Sequence, residues 1–177
     1  MTIGVTTRPA TAADAPALVA LVNDAYRGAT SKAGWTTEAD LLDGQRIDVE
    51  GLTDTIAKPG NVILLHEQDH VPVACVHLER TGDDCYLGML TIRPPMQGAG
   101  LGRQLLEVAE RWAIEHWSSR SMHMTVIVQR IELIAWYERR GYSRTGERKP
   151  FPYGDERFGV PRRADLAFEV LCKPLSP

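Results

Sequence analysis

The 177-residue sequence predicts an α/β fold of the α+β type, in which one mixed, mainly antiparallel sheet of six to seven strands is flanked by about four helices. Residues 61–92 contain three β-rich runs separated by the turn sequences QDH and TGDD, a pattern typical of an antiparallel meander. Helical patterns alternate with strands after residue 98, which indicates strand–helix–strand crossovers. The length fits one hydrophobic core, so we expect a single domain over residues 1–177.

The N-terminal third begins with a predicted strand, Ile3 to Thr7, which is followed by a helix. Thr11 and Asp14 have the spacing of a capping box, a reciprocal pair of hydrogen bonds that starts many helices. Apolar residues then recur every three or four positions and predict one buried helix face, formed by Leu18, Leu21, Val22, Ala25 and Tyr26. Glycines interrupt the pattern in residues 27–58, where we predict a short helix around Thr37 to Leu42.

The remaining elements follow the glycine-rich residues 98–102. An apolar stripe predicts a long helix ending near Trp117, and its members are Leu101, Leu105, Val108, Ala109 and Trp112. The alternating sequence MHMTVIV predicts a strand over Met122 to Val128, and a shorter helix is expected to end at Gly141. A strand near Tyr142 to Glu147, a long loop and a final strand with the sequence ADLAFEVLCK complete the predicted fold.

Composition and charge exclude several classes of partner. The net charge of −3 and the isoelectric point near 6.0 give no overall attraction to nucleic acid or to an anionic membrane. No apolar run approaches the ~20 residues of a membrane-spanning helix, and the N-terminal residues match neither a signal peptide nor a transit peptide. We therefore expect a cytoplasmic protein with no nucleic-acid or membrane partner, and leave a homodimer open. No metal site or disulfide framework is expected, because the cysteines form no CxxC pair; Cys75, Cys85 and Cys172 are expected to be buried thiols.

Three alternating glycines, Gly98, Gly100 and Gly102, precede the predicted long helix. Glycine allows backbone conformations that other residues resist, and the first turn of a helix has unpaired N–H groups and a partial positive charge. The loop is therefore a candidate site for a phosphate or diphosphate, and the alternative is a tight turn that holds no ligand. The spacing GxGxG matches neither the dinucleotide fingerprint GxGxxG nor a P-loop ending in GK[ST], which disfavours both of those sites.

Two motifs in this sequence resemble those of the GCN5-related N-acetyltransferase (GNAT) superfamily. The segment QGAGLG, residues 97–102, matches the Q/R-x-x-G-x-G/A signature of that family, and it follows LTIRPP, which is similar to the L-x-V-x-P strand ending. The segment ELIAWYERRGY, residues 132–142, resembles the downstream A-I-x-L-Y-E-K-x-G-F motif. Their order and spacing also fit the family, and the predicted elements fit its fold over nearly the whole chain.

The resemblance implies that the chain binds acetyl-CoA as an acetyl donor. The diphosphate would contact the main-chain amides of the signature, with Arg103 as a nearby counter-charge; the signature residues are Gln97, Gly98, Ala99, Gly100, Leu101 and Gly102. The pantetheine arm would pair with an open strand edge as an added strand does, and the resemblance assigns that edge to Leu90, Thr91 and Ile92. We also expect Gly88 to mark a β-bulge that separates this strand from the strand at Met122 to Val128.

The implied reaction moves an acetyl group to a primary amine by direct attack, through a tetrahedral intermediate whose oxyanion is held by backbone N–H groups. Tyr137 aligns with the tyrosine that this family commonly places near the CoA sulfur, where it would protonate the departing thiolate; the alternative is a packed core aromatic. The general base stays open, since Thr125 stands where some relatives carry a glutamate and Arg130 stands where asparagine is usual. The candidate bases are Glu79, Asp84, His77 and His123.

Acceptor specificity in this fold lies in the first helix pair and in the loop between the last two strands. Aromatic and acidic side chains there are candidates to line a pocket for a cationic amine of a small molecule or peptide, with ordinary solvent exposure as the alternative. The substrate-binding candidates are Tyr26, Trp35, Glu38 and Glu79, together with Tyr153 and Asp155. Two other functions stay open: a noncatalytic acyl-CoA-binding regulatory module, and a transferase that uses a different acyl-CoA.

Overall fold

The structure of the chain is a computed structural model that describes residues 4–27, 31–32, 34, 37–155 and 159–177. The described α-helices are α1 (Ala15–Tyr26), α2 (Val49–Ala57), α3 (Leu101–Trp117) and α4 (Ile131–Glu138). The strands are β1 (Thr6–Pro9), β2 (Leu42–Asp43), β3 (Asn61–Gln68), β4 (Val71–Thr81), β5 (Asp84–Ile92), β6 (Ser121–Ile127), β7 (Ser143–Pro150), β8 (Val160–Pro161) and β9 (Ala167–Pro174). Short 3-10 helices occupy Ala12–Asp14 and Pro94–Met96.

Seven strands form the main sheet, in the order β1-β3-β4-β5-β6-β9-β7. Every neighbouring pair in it is antiparallel except β5 and β6, which are parallel because α3 crosses between them. Strands β2 and β8 form a separate antiparallel pair. The predicted mixed, mainly antiparallel sheet flanked by about four helices is confirmed. Among the described residues, no helix is both long and apolar enough to cross a membrane.

The core has two layers because the strands alternate their side chains between the two faces of the sheet. In β3, Leu64 packs on the face that carries α3 and α4, whereas Ile63 and Leu65 pack on the face that carries α1. The buried thiols of Cys75 and Cys85 divide between the same two layers, and burial raises the pKa of each thiol to about 12. Helices therefore cover both faces of the central strands, so a ligand can reach these strands only at an exposed strand edge.

One predicted element is wrong, and several strand boundaries differ. Residues 37–41 form a turn in place of the predicted helix around Thr37 to Leu42, and Leu42 belongs to β2. The helix in this region is α2, which begins after Asp48, whose side chain accepts a hydrogen bond of 2.7 Å from the Gly51 N–H. Strand β1 starts at Thr6, later than predicted, and β7 extends to Pro150, since it pairs with β9 along that length.

Strands β5 and β6 separate soon after they meet. Their register pairs Cys85 with Met122 and Tyr86 with His123. Beyond this point β5 contains a bulge: Met89 has a positive φ of 55°, and the register with β4 shifts by one residue there. The bulge lies one residue after the predicted position, Gly88, which instead makes room for a neighbouring ring, because a Cβ there would lie 3.0 Å from Tyr86 Cε1.

The predicted capping box before α1 is present and is reinforced by an arginine. Asp14 accepts a hydrogen bond of 2.7 Å from the Thr11 N–H and two of 2.9 Å from the Arg8 guanidinium. Arg8 also binds Glu67 of β3, so this group ties the start of α1 to the edge of the sheet. The hydrogen bonds from Arg8 hold the pKa of Asp14 at about 2, below its ordinary value of 3.8.

Asp14→Asn is therefore expected to lower the free energy of unfolding at pH 7 by about 1–2 kcal/mol, a figure reduced because Arg8 is partly exposed. A depressed folded-state pKa contributes stability above about pH 4, and this contribution disappears as the pH falls towards 2. Urea denaturation of both proteins from pH 7 to pH 2 measures the difference. Asp24→Asn, which removes an exposed carboxylate from α1, is the control. A difference that persists at pH 2 would contradict the assignment.

Candidate active site

The glycine loop forms an uncovered cradle at the start of α3. Gly98 and Gly100 have φ angles of 87° and 82°, in the left-handed region that favours glycine, and Gly100 is the N-cap residue of the helix. A Cβ added to either residue would meet no atom within 4 Å, so it would project into open space beside the loop. Gly102 serves packing instead, because a Cβ there would lie 3.4 Å from the Trp136 ring. The loop fits an anion that binds to uncovered main-chain N–H groups.

The other residues of the signature have different surroundings. Ala99 is exposed, Leu101 is buried in the core, and Arg103 is largely exposed with its Nε 2.9 Å from Glu107 Oε1. The Gln97 amide donates a hydrogen bond of 3.0 Å to the Ile92 carbonyl oxygen and packs against Gly34, where a Cβ would collide with it. The signature therefore contacts the end of β5 as well as opening towards solvent.

The predicted cofactor edge lies on the part of β5 that has separated from β6. Thr91 is fully buried and donates its hydroxyl hydrogen to the Met89 carbonyl oxygen at 2.9 Å. The Leu90 carbonyl oxygen accepts a hydrogen bond from the Tyr26 hydroxyl. The edge is thus held from α1 at Leu90 and from the glycine loop at Ile92.

A cavity of about 400 Å³ opens between the separated strands, and residues of both core layers line it. Its walls come from the end of α1, the segment before α2, the facing parts of β5 and β6, and the start of α4. The lining includes Tyr26, Arg27, Glu38, Arg46, His77, Tyr86, Gly88, Met89, Leu90, Thr125, Arg130, Tyr137 and Asp155. A volume of this size suits a small molecule or the end of a peptide.

Glu38 lies in the wall of this cavity and faces three arginines. Arg27 donates to Glu38 Oε2 from Nε at 3.2 Å and from Nη2 at 3.0 Å, and Arg130 donates to Oε1 from Nη1 at 3.3 Å. Arg46 Nη1 lies 3.6 Å from Oε2, close enough for charge attraction but too far for a hydrogen bond. The side chains of Glu38, Arg27 and Arg130 are less than a tenth exposed.

This group of charges keeps Glu38 ionised. Burial opposes the charged form of Glu38, but the positive charges of Arg46, Arg130 and Arg27 outweigh it and hold the pKa of Glu38 below its ordinary value. The predicted use of Glu38 to recognise a cationic amine is therefore not favoured, because two arginines already bind its carboxylate and a third lies beside it.

Two tyrosines, one from α1 and one from α4, line the cavity. Tyr26 lies under the arginines, with Arg46 Cζ 4.3 Å and Arg130 Cζ 5.6 Å from its ring centre, and its hydroxyl binds Leu90. Tyr137 packs edge-on against Trp136 and Tyr142, with ring centres 5.0 and 5.6 Å away. Burial raises the pKa of Tyr137 above its ordinary value of 10, so its hydroxyl stays protonated at neutral pH. Tyr137 is buried in the core and also lines the cavity.

The four candidate bases separate clearly by position. His77 lines the cavity, with its Nε2 2.7 Å from Asn61 Oδ1, and burial lowers the pKa of its imidazole. Glu79 lies outside the cavity and pairs with Lys58 at 3.1 Å. Asp84 accepts a hydrogen bond of 2.7 Å from Ser121. The His123 ring is tilted by 57° against the Tyr86 ring, and His123 does not line the cavity. Thr125, which the family resemblance aligns with a glutamate of some relatives, lines the cavity.

The remaining substrate-binding candidates are only partly brought together. Asp155 is exposed at the cavity mouth. Tyr153 lies outside the lining, and its hydroxyl donates to the Arg163 carbonyl oxygen and accepts from the Leu166 N–H, each at 2.8 Å. Trp35 lies outside the described residues. Arg27, Arg46 and Tyr86 also line the cavity, and no motif in the sequence singles them out. Isolated arginines in a segment interrupted by glycines resemble ordinary surface residues.

Comparison with known families gives one match that covers most of the chain. The family model described as "Acetyltransferase (GNAT) family" matches residues 18–142, which include the glycine loop, β5, β6 and Tyr137. No curated protein gives a significant sequence match.

Solved structures share the fold at low sequence identity. The ribosomal-protein-S18-alanine N-acetyltransferase from Escherichia coli superposes with a TM-score of 0.72 at 16% identity, covering 98% of this chain and 96% of that one. The protein YncA from Salmonella typhimurium, solved with its cofactor acetyl-CoA, has a TM-score of 0.70 at 20% identity, covering 98% and 95%. The PaiA N-acetyltransferase from Thermoplasma acidophilum, solved with coenzyme A, has a TM-score of 0.68 at 14% identity, covering 97% and 99%.

These likenesses agree with the fold described above. The family match spans more than half of the chain and includes the cradle and most of the residues that line the cavity. The chain therefore belongs to the acetyltransferase (GNAT) family.

Proposed function

We propose that this protein is an acetyl-CoA-dependent N-acetyltransferase that acts on the primary amine of a small molecule or peptide. The observation that carries the proposal is the position of three features around the separated strands. An uncovered glycine cradle lies at the end of β5, an open edge of β5 follows the bulge at Met89, and a cavity containing Tyr137 opens between β5 and β6. These features suit a donor that enters from the α3 side and an amine that enters from the α1 side.

The residues of the cradle fit the diphosphate of coenzyme A. The N–H groups of residues 98–102 would bind its oxygens beside the positive end of α3, and Arg103 is close enough to add a positive charge. Acetyl-CoA supplies the acetyl group as a thioester. The neighbours solved with acetyl-CoA and coenzyme A support this choice of donor.

The open edge of β5 would hold the pantetheine arm by main-chain hydrogen bonds, as an edge strand holds an added strand. The carbonyl oxygens of Leu90 and Ile92 already accept one side-chain hydrogen bond each. Each carbonyl has a second lone pair, so it can accept another hydrogen bond from a pantetheine N–H. Tyr26 and Gln97 would thereby position the edge.

The protein must do three things for direct transfer: accept a proton from the amine, stabilise the oxyanion and protonate the departing sulfur. His77 is our candidate base, because it lines the cavity and its lowered pKa leaves the imidazole neutral near pH 7. Main-chain N–H groups at the bulge of β5 are suited to the oxyanion. The C–N bond would form first and give the tetrahedral intermediate, and Tyr137 would then give its proton to the sulfur as the C=O bond re-forms and the C–S bond breaks.

The proposed function is tested by incubating the protein with acetyl-CoA and a panel of amines while free thiol is followed. Release of CoA that depends on the amine, with N-acetylated product found by mass spectrometry, is expected. Tight binding of acetyl-CoA with no turnover of any amine would favour the noncatalytic binding module instead. Parallel runs with longer acyl-CoA donors measure the acyl preference.

Gly100→Val is expected to weaken coenzyme A binding by at least about tenfold, because the side chain fills the cradle and the residue resists a positive φ. Isothermal titration calorimetry measures the affinity. Gly82→Val is the matched control, since Gly82 also has a positive φ and open space around it but lies in the β4–β5 turn. Similar affinity in the two variants would remove the cradle from the donor site.

Tyr137→Phe is expected to lower kcat by about 100-fold, within the range typical of a lost general acid, with little change in acetyl-CoA affinity. Steady-state kinetics and calorimetry separate the two effects. Tyr142→Phe removes a neighbouring buried hydroxyl, which binds Glu110 and lies outside the cavity lining, and should retain most of the activity. Equal kcat for wild type and Tyr137→Phe would leave Tyr137 as a core residue.

His77→Gln is expected to lower kcat/KM by about 100-fold, since a positioned base contributes on that scale. A base acts in its neutral form, so the lowered pKa of His77 places the acidic fall in the wild-type kcat/KM below pH 6.5. That limb should disappear from the pH profile of the variant. His123→Gln, on β6 outside the cavity lining, is the control. Retention of the limb in His77→Gln would assign the base to another group or to water.

A further inference from the structure

We infer that the amine acceptor also carries a carboxylate group, which binds Arg46 in the wall of the cavity. This inference rests on the proposed function, because it specifies the substrate of the same site. It would restrict the acceptor to molecules such as free amino acids and exclude simple amines and polyamines.

The first argument is the balance of charge in the cavity. Three guanidinium groups, those of Arg27, Arg46 and Arg130, surround the single buried carboxylate of Glu38. The other acidic residue of the described lining, Asp155, is exposed at the mouth. Charges removed from water are normally paired, and the described part of the inner wall brings three guanidinium groups beside one buried carboxylate. This part of the wall would therefore attract a bound anion.

Arg46 is the arginine that has capacity left for a ligand. Its Nε is shielded from solvent and has no hydrogen-bond partner. Its contact with Glu38 is an ion pair at 3.6 Å without a hydrogen bond, and about 28% of its side chain is exposed. An arginine has five N–H donors in a planar fork that matches the two oxygens of a carboxylate. A carboxylate at this position would satisfy donors that the protein itself leaves unused.

The position of Arg46 also relates it to the reacting edge. Arg46 lies over the ring of Tyr26, whose hydroxyl binds the Leu90 carbonyl oxygen next to the bulge of β5. One tyrosine side chain thus spans the separation between the guanidinium and the strand where the amine would be acetylated. Arg46 and Tyr137 line the same cavity of about 400 Å³. A compact molecule with an amine and a carboxylate a few bonds apart fits between them.

The inference is tested with the wild-type protein and one matched series of amines. Leucine, leucinamide and 3-methylbutylamine share a side chain and differ in one substituent on the carbon that carries the amine. This substituent is a carboxylate in leucine, a neutral amide in leucinamide and a hydrogen in 3-methylbutylamine. Turnover is followed by CoA release, and binding is measured by calorimetry in the presence of coenzyme A. We expect leucine to exceed both neutral analogues in affinity and in kcat/KM by about 30-fold or more, as for a buried charge pair.

Arg46→Gln is then expected to remove this preference, lowering kcat/KM for leucine by about 30-fold or more and changing that for 3-methylbutylamine little. Arg80→Gln, an exposed arginine at the β4–β5 hairpin, is the control and should leave all three amines unchanged. The comparison of the three amines with the wild-type protein tests the inference even if a variant fails to fold.

The outcomes distinguish the two proposals. Turnover of the neutral amines with no preference for leucine would overturn the carboxylate inference and leave the N-acetyltransferase proposal intact. Absence of CoA release with every amine would overturn the proposed function. Tighter binding of leucine than of the neutral analogues, measured by calorimetry, without turnover would support the anion site but not the transferase activity. Equal affinity for the three compounds would overturn the anion site.

Discussion

The parting of β5 from β6 is the constraint on which the rest of this molecule depends. The two strands pair only at their starts, and the bulge at Met89 turns β5 away from its neighbour. The main-chain groups on the free part of β5 are held from two sides, by Tyr26 at Leu90 and by Gln97 at Ile92. A continuous sheet would leave no cavity between the strands and no open edge beside the glycine loop. The proposed site for the chemistry therefore lies where the sheet is interrupted.

The second organising feature is the arrangement of cations around Glu38. Its carboxylate connects the end of α1, the segment before α2 and the start of α4, which supply Arg27, Arg46 and Arg130 in turn. A carboxylate in this place serves the protein's own architecture, since it holds three segments together at one wall. The same arrangement gives the inner end of the cavity a positive character. In our proposal, one cluster of side chains both stabilises the structure and recognises the acceptor.

The sequence predicted the parts of this fold that follow from local pattern. The meander of β3, β4 and β5 and the stripes of α1 and α3 depend on residue period, and the glycine loop depends on spacing. The helix around Thr37 to Leu42 was wrong because β2 forms by pairing with β8, more than a hundred residues away, which no local pattern reports. Arg27 and Arg46, and the grouping of both with Arg130 around Glu38, were missed for the same reason. Each is unremarkable in its own segment, and only tertiary contact reveals the cluster.

The short pairing between β5 and β6 also has a thermodynamic consequence for the whole chain. The register joins the two halves of the main sheet at only two residue pairs, Cys85 with Met122 and Tyr86 with His123. A ligand bound in the gap would take the place of a missing strand. Its binding to the folded state would raise the free energy of unfolding. By mass action, a ligand at 100 times its dissociation constant contributes about 2.7 kcal/mol. The resistance of this protein to heat and proteolysis would then vary with the supply of that ligand in its surroundings.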